Sequence, residues 1–209
     1  MRFHTVPIWI IRGGIVSALI FMVGCSKSTP VSQSDHGSFV GRVRAEWMQD
    51  GRRMRLLENF GYTDPTGKLW VAPADSVVDG ASIPQPFWSV IGGPFSGPYR
   101  NASVVHDIAC DEKKEDWKDV HRMFYNACLC GGADSTKARV MFGAVYHFGP
   151  RWTTKVVMSG SDETKEYVSK NLAIDVPTDE QVQRLSNFVK DKSPTLEEIE
   201  KFDISKEPR

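Results

Sequence analysis

Between residues 39 and 75, apolar and polar positions alternate over short stretches instead of recurring every third or fourth place. "FVGRVRAEW" alternates in part, and "RRMRLLENFGY" and "GKLWVA" follow it, separated by the turn signals "QDG" and "DPTG". This pattern predicts three short antiparallel strands. "PADSVVDGASIPQPFW" then reads as an ordered loop punctuated by Pro73, Gly80, Pro84 and Pro86. The period changes at Tyr99. Tyr99, Ala102, His106 and Ala109 share one helical face, predicting a helix over about 99–110. A charged turn, "DEKKED", leads to a second helix over about 115–129, with Trp117, Val120, His121, Phe124, Ala127 and Cys128 on one side. "CGGAD" stops it, with Gly131 or Gly132 as a left-handed cap. A third helix starts at Ser135, with Ala138, Met141, Phe142 and Val145 on a face, and ends at "FGP". From Arg151 onward the chain reads as a helical appendage, with Thr178 and Gln181 spaced as a capping box and Pro194 near the start of a last short helix. The fold class predicted is α+β: a small antiparallel strand region, a three-helix core and a C-terminal helical tail.

The first residues read as targeting, not fold. Arg2 and Arg12 precede "GGIVSALIFMVG", an uncharged run too short for a comfortable membrane span, and a small residue sits just before Cys25. The "MVGC" ending resembles a bacterial lipobox. That resemblance implies cleavage before Cys25, lipid attachment to it and, with Ser26 following, a place on the periplasmic face of the outer membrane. The expected organisation is a signal peptide at 1–24, a flexible polar stalk at 25–38, a core domain at 39–152 and the helical tail at 153–209. Losing Arg2 and Arg12 with the signal would leave 24 basic against 26 acidic residues. Such a balance supplies no concentrated basic patch for nucleic acid. "IGGPFSGP" matches neither a P-loop nor a dinucleotide fingerprint.

Two histidines lie in apolar stripes. Helices joined by a short turn pack antiparallel. With the turn centred near residue 113, positions whose numbers sum to about 227 share a level, which sets His106 opposite His121. A buried polar group needs a partner, and each imidazole can be the other's. The same register separates Cys110 from Cys128 by ~16 Å of helical rise, beyond the ~7 Å Cα separation a disulfide tolerates, so buried thiols are expected. Asp107 is rotated by about 100° from His106, toward the "DGASIP" loop and Asp79. Two carboxylates with loop carbonyls could hold calcium; equally, Asp79 could cap a turn while Asp107 bonds loop amides. Phe87, Trp88, Val90, Ile91 and Phe95 are either core or an interfacial rim for lipid.

"WVAPADSVVDGASIP", "WSVIGGPFSGPYRNASVVHD", "HRMFYNACLCGG" and "KARVMFGAVYHFGPRW" together resemble the bacterial and phage domain-of-unknown-function family 1353 over about 39–152. The resemblance implies a small strand-plus-helix domain and no assigned activity. Where the family pattern has Ala-Asp, this chain has Val120-His121. More distantly, the loop, the His-Asp helix and the antiparallel partner resemble bacterial secreted phospholipase A-two. This implies His106 as general base, Asp107 with Asp79 holding calcium, and His121 in the place of an orienting acid, acting on phospholipid at the membrane. Two rival readings stand beside that lipid hydrolase. One is a zinc hydrolase using His106, Asp107 or His121. The other is a non-catalytic envelope lipoprotein, structural or interacting, held by its lipid anchor and binding a membrane or a partner protein, in which the polar residues only lock the hairpin.

Overall fold

Gly41 breaks the first predicted strand. In the computed structural model, which describes residues 35–80, 83–93, 95–159, 164–172 and 176–205, its φ is +82°, and the chain turns there into a new direction. β1 (Ser38–Val40) and β2 (Ala45–Trp47) therefore enter different sheets. β3 (Met54–Leu56), β4 (Phe60–Thr63), β5 (Leu69–Ala72) and β6 (Val77–Val78) complete two three-stranded antiparallel sheets, ordered β1-β4-β5 and β2-β3-β6. The three strands predicted over 39–75 are thus five, and β6 falls within the stretch predicted as a loop. The signal segment, Cys25 and most of the stalk fall outside the described residues.

One carboxylate organises the β4–β5 hairpin. Asp64 Oδ1 accepts from the Thr66 and Lys68 amides at 2.9 and 3.0 Å and from the Thr66 hydroxyl, while Oδ2 accepts from the Trp70 indole at 3.0 Å. Burial pushes this carboxyl up, but these donors outweigh it and hold it below the usual carboxylate range. β5 then follows period two: Trp70 and Ala72 face inward, while Leu69 and Val71 are exposed. Phe60 and Tyr62 of β4 join the buried face, with Phe39 stacked over Phe60.

After a four-residue helix, α1 (Trp88–Ile91), come α2 (Arg100–Glu112), α3 (Trp117–Cys130) and α4 (Ser135–Phe148), each within a few residues of its predicted span. Their ends obey local chemistry. Lys113 closes α2 in a left-handed conformation, Asp116 caps α3 by accepting from the Lys118 amide, and Asp134 caps α4 by accepting from the Lys137 amide. Gly132 is the left-handed residue after α3. Phe87 and Ile91 are buried, Trp88 and Phe95 pack partly against the core, and Val90 is exposed.

The tail departs from the helical expectation. It opens with an antiparallel hairpin, β7 (Trp152–Ser159) and β8 (Thr164–Asn171), and only then becomes helical in α5 (Asp179–Lys192) and α6 (Leu196–Glu200). Threonine and valine dominate 153–157, and β-branched residues favour the extended chain. Both helices begin in capping boxes, Thr178 with Gln181 and Thr195 with Glu198. They belong to the core: Leu185 and Ile199 are fully buried against α4. Gly143 makes this possible, since a Cβ there would stand 2.9 Å from Leu185 Cδ2 and 3.2 Å from Ile199 Cγ2. Among the described residues, no helix is long and apolar enough to cross a membrane.

Candidate functional site

α2 and α3 meet as the hairpin arithmetic predicts. His106 Nε2 lies 2.9 Å from His121 Nδ1, and both imidazoles are completely enclosed. The proton positions follow from the third member. His121 Nε2 is 3.1 Å from the Pro150 carbonyl oxygen, which can only accept. His121 therefore carries its proton on Nε2 and presents a lone pair at Nδ1, and His106 donates to it from Nε2. The relay runs in one direction, from His106 through His121 to the backbone just before β7.

Aromatic rings wall this pair. Phe124 lies 4.5 Å from the His106 ring centre, and Trp117 and Trp152 meet His121 edge-on at 5.6 and 6.5 Å. Burial holds His121 neutral, lowering its pKa to about 3; the Pro150 contact opposes this and the nearby Arg151 charge adds to it. Cys110, one turn after His106, places its Sγ 3.6 Å from His106 Nε2. Its thiol is pushed up by burial and by the negative charges of Asp107 and Asp111. No disulfide joins Cys110, Cys128 and Cys130, and for Cys110 and Cys128 this agrees with the helical-rise argument.

Asp107 leaves this cluster, as its rotation predicts. Its Oδ2 accepts from the backbone amides of Asp79 and Gly80 at 3.0 and 2.7 Å. Gly80 has φ +112°, a conformation that favours glycine, and so can turn its amide inward. The Asp79 carboxylate turns outward and pairs with Arg52 at 3.5 Å. The loop thus offers Asp107 donors, whereas a calcium site needs loop oxygens. Asp79, Asp107 and Asp111 line one cleft together with Arg53. The Asp111 carboxyl is raised there by burial and by the charge of Asp79.

Of the candidate residues, His106 and His121 are therefore brought together, Asp107 and Asp79 meet through a backbone amide, and Cys25 lies outside the described residues. Two partners were missed. Cys110 was accessible to inspection, being four residues from His106 on one helical face. The Pro150 carbonyl carried no side-chain signal. His147, at the end of α4, is a structural residue: its Nε2 is 2.8 Å from the Ile199 carbonyl, tying α4 to α6.

The family model of DUF1353, described as a protein of unknown function, matches residues 54–145, from β3 nearly to the end of α4. Two uncharacterized proteins of Sinorhizobium fredii (strain NBRC 101917 / NGR234) are similar to the chain. One, y4jT, is 49% identical over 104 residues, covering 49% of this chain and 31% of its own. The other, y4iH, is 38% identical over 122 residues, covering 58% of this chain and 51% of its own. The chain thus spans about half or less of the length of these curated relatives. No solved structure matches.

Proposed function

We propose that this chain is a lipid-anchored envelope protein whose folded domain is a non-catalytic interaction module. The observation that carries this reading is the enclosure of His106 and His121. A general base must come within hydrogen-bond reach of the proton it takes. Here His106 Nε2 is directed at His121 Nδ1, both rings have no solvent exposure, and the relay ends on a backbone carbonyl. That arrangement locks α2, α3 and the start of β7 together. Asp107 likewise anchors a loop through two amides.

The anchor rests on the lipobox resemblance at Cys25. A contact surface is supported by the outer face of the β1-β4-β5 sheet. Val40 and Val71 lie opposite Gly61 on either side, and with Leu69 they leave an apolar patch in solvent. Apolar surface grouped in this way marks an interaction site more often than chance exposure does.

The test uses the full chain in detergent-phospholipid micelles, with and without calcium, beside His106→Ala. The reading expects no release of fatty acid above the His106→Ala background in either condition. Calcium-dependent release abolished by that substitution would overturn it in favour of the phospholipase-like hydrolase. In cells, Cys25→Ala should move the protein from the membrane fraction to the soluble one; unchanged membrane association removes the anchor.

A further inference from the structure

We infer that His106, His121 and Cys110 form a buried site for one thiophilic metal ion, zinc or copper(I), held by two imidazole nitrogens and a thiolate. This rests on the geometry of the α2–α3 hairpin alone and not on the anchor or the interaction reading. Among the described residues, the three donor atoms lie within 4.8 Å of one another, and all three side chains are buried. Donors at ~2.0–2.1 Å (nitrogen) and ~2.3 Å (sulfur) from a common ion stand roughly 3.4–3.8 Å apart. The observed separation of Cys110 Sγ from His106 Nε2 is 3.6 Å, already in that range. The imidazole nitrogens, at 2.9 Å, must part by about 0.5 Å, a small ring displacement.

A second observation points the same way. A ligating histidine characteristically donates its other ring N–H to a backbone carbonyl, which fixes the tautomer and aims the lone pair. The Pro150 carbonyl does this for His121, leaving Nδ1 as the inward-facing donor atom. The zinc reading of the sequence names His106, Asp107 or His121 as ligands. The structure turns Asp107 away to the Asp79 and Gly80 amides and sets Cys110 beside the two histidines. Thiolate and imidazole suit zinc and admit copper(I) as well. Copper(I) is satisfied by three donors, while zinc takes a fourth.

The proton balance is explicit. Cys110 loses its S–H proton to solvent and becomes the thiolate. His106 moves its proton from Nε2 to Nδ1 and binds through the freed Nε2 lone pair. His121 binds through Nδ1 and keeps its proton on Nε2. One proton is released per ion, and no electron is transferred. Because the site is enclosed in the folded chain, loading belongs to folding, when thiol and imidazoles are still accessible.

The experiment refolds the full chain in detergent after chelator treatment, with zinc alone or with copper(I) alone under anaerobic reductant. Metal and protein are then quantified after gel filtration. The expected result is about one ion per chain for wild type and for Cys130→Ser, and about one-tenth or less for Cys110→Ser that retains its far-ultraviolet circular dichroism. Competition between the two ions identifies the preferred one. Wild type retaining less than about one-tenth of an equivalent of both overturns the proposal, as does stoichiometric binding by Cys110→Ser. If Cys110→Ser fails to fold, cobalt substitution of wild type decides. A thiolate-to-cobalt charge-transfer band supports the site, and its absence overturns it.

Discussion

Replacing Asp107 separates its two candidate roles, loop anchor and cation holder. In the folded chain its Oδ2 takes the Gly80 amide at 2.7 Å and the Asp79 amide at 3.0 Å, and the residue is 4% exposed. A hydrogen bond to a charged group contributes about 1.5–3 kcal/mol. The two losses differ in kind. Gly80 is buried and its amide would be stranded by Asp107→Ala, whereas Asp79 is exposed and water can replace part of its bond. The expected cost of Asp107→Ala is therefore about 3–4 kcal/mol, most of it at Gly80. Asp107→Asn keeps a carbonyl oxygen of the same shape and loses only the charge, so its cost is about 1–1.5 kcal/mol. Urea unfolding of wild type and both variants measures these differences, and amide hydrogen exchange at Gly80 locates them. Exchange there should accelerate strongly in the alanine variant and modestly in the asparagine variant. Equal destabilisation by the two substitutions would refute the amide-anchor argument. So would a rise in the wild-type midpoint on adding calcium that Asp107→Asn lacks, which would make Asp107 a metal-holding residue.

Acid should weaken the metal-free fold. The His121 pKa is lowered to about 3, so the unfolded chain binds the extra proton below its ordinary value near 6.5, and stability present above that pH is lost as pH falls toward 3. Between pH 6.5 and 5.0 this amounts to about 1.5 kcal/mol, with His147, also lowered chiefly by burial, adding in the same direction; a flat urea midpoint over that range with chelator present would contradict it. Gly143→Leu should destabilise by about 3 kcal/mol, because Leu185 and Ile199 already fill the space beside it. Limited proteolysis should then cut selectively in the 176–205 region, and an unchanged cleavage pattern would show that α5 and α6 do not depend on that close approach.

The helical half of the domain was legible because its information is periodic and local. The apolar stripes of α2, α3 and α4 run over three or more turns each, while the N-caps of α3 and α4, Asp116 and Asp134, emerge only with the structure. The level rule for an antiparallel hairpin then placed His106 beside His121 with no tertiary information. The strands were harder. β1 and β2 are three residues each and read as one run until a single left-handed glycine divides them between sheets. The β7–β8 hairpin was missed although its β-branched residues announced it, because the helical pattern downstream was extended backward over them. How α5 and α6 dock was not legible either, because it depends on which face of α4 carries Gly143, and a lone glycine in a helix signals cost before it signals contact.

The histidine at 121 shows how a contact can be legible in position and incomplete in chemistry. Against the acid of the family pattern, His121 looks like the loss of a negative charge that would steady a protonated His106. The third partner alters that comparison. An aspartate at 121 could accept from His106, but it would turn lone pairs toward the Pro150 carbonyl, oxygen against oxygen. A neutral imidazole accepts on one side and donates on the other, so it satisfies both neighbours at 2.9 and 3.1 Å. The same division of roles leaves Nδ1 facing His106 and Cys110, the arrangement a metal ligand requires. One substitution that weakens a hydrolytic reading on paper thus strengthens a structural and metal-binding one, and only the backbone carbonyl at 150 reveals it.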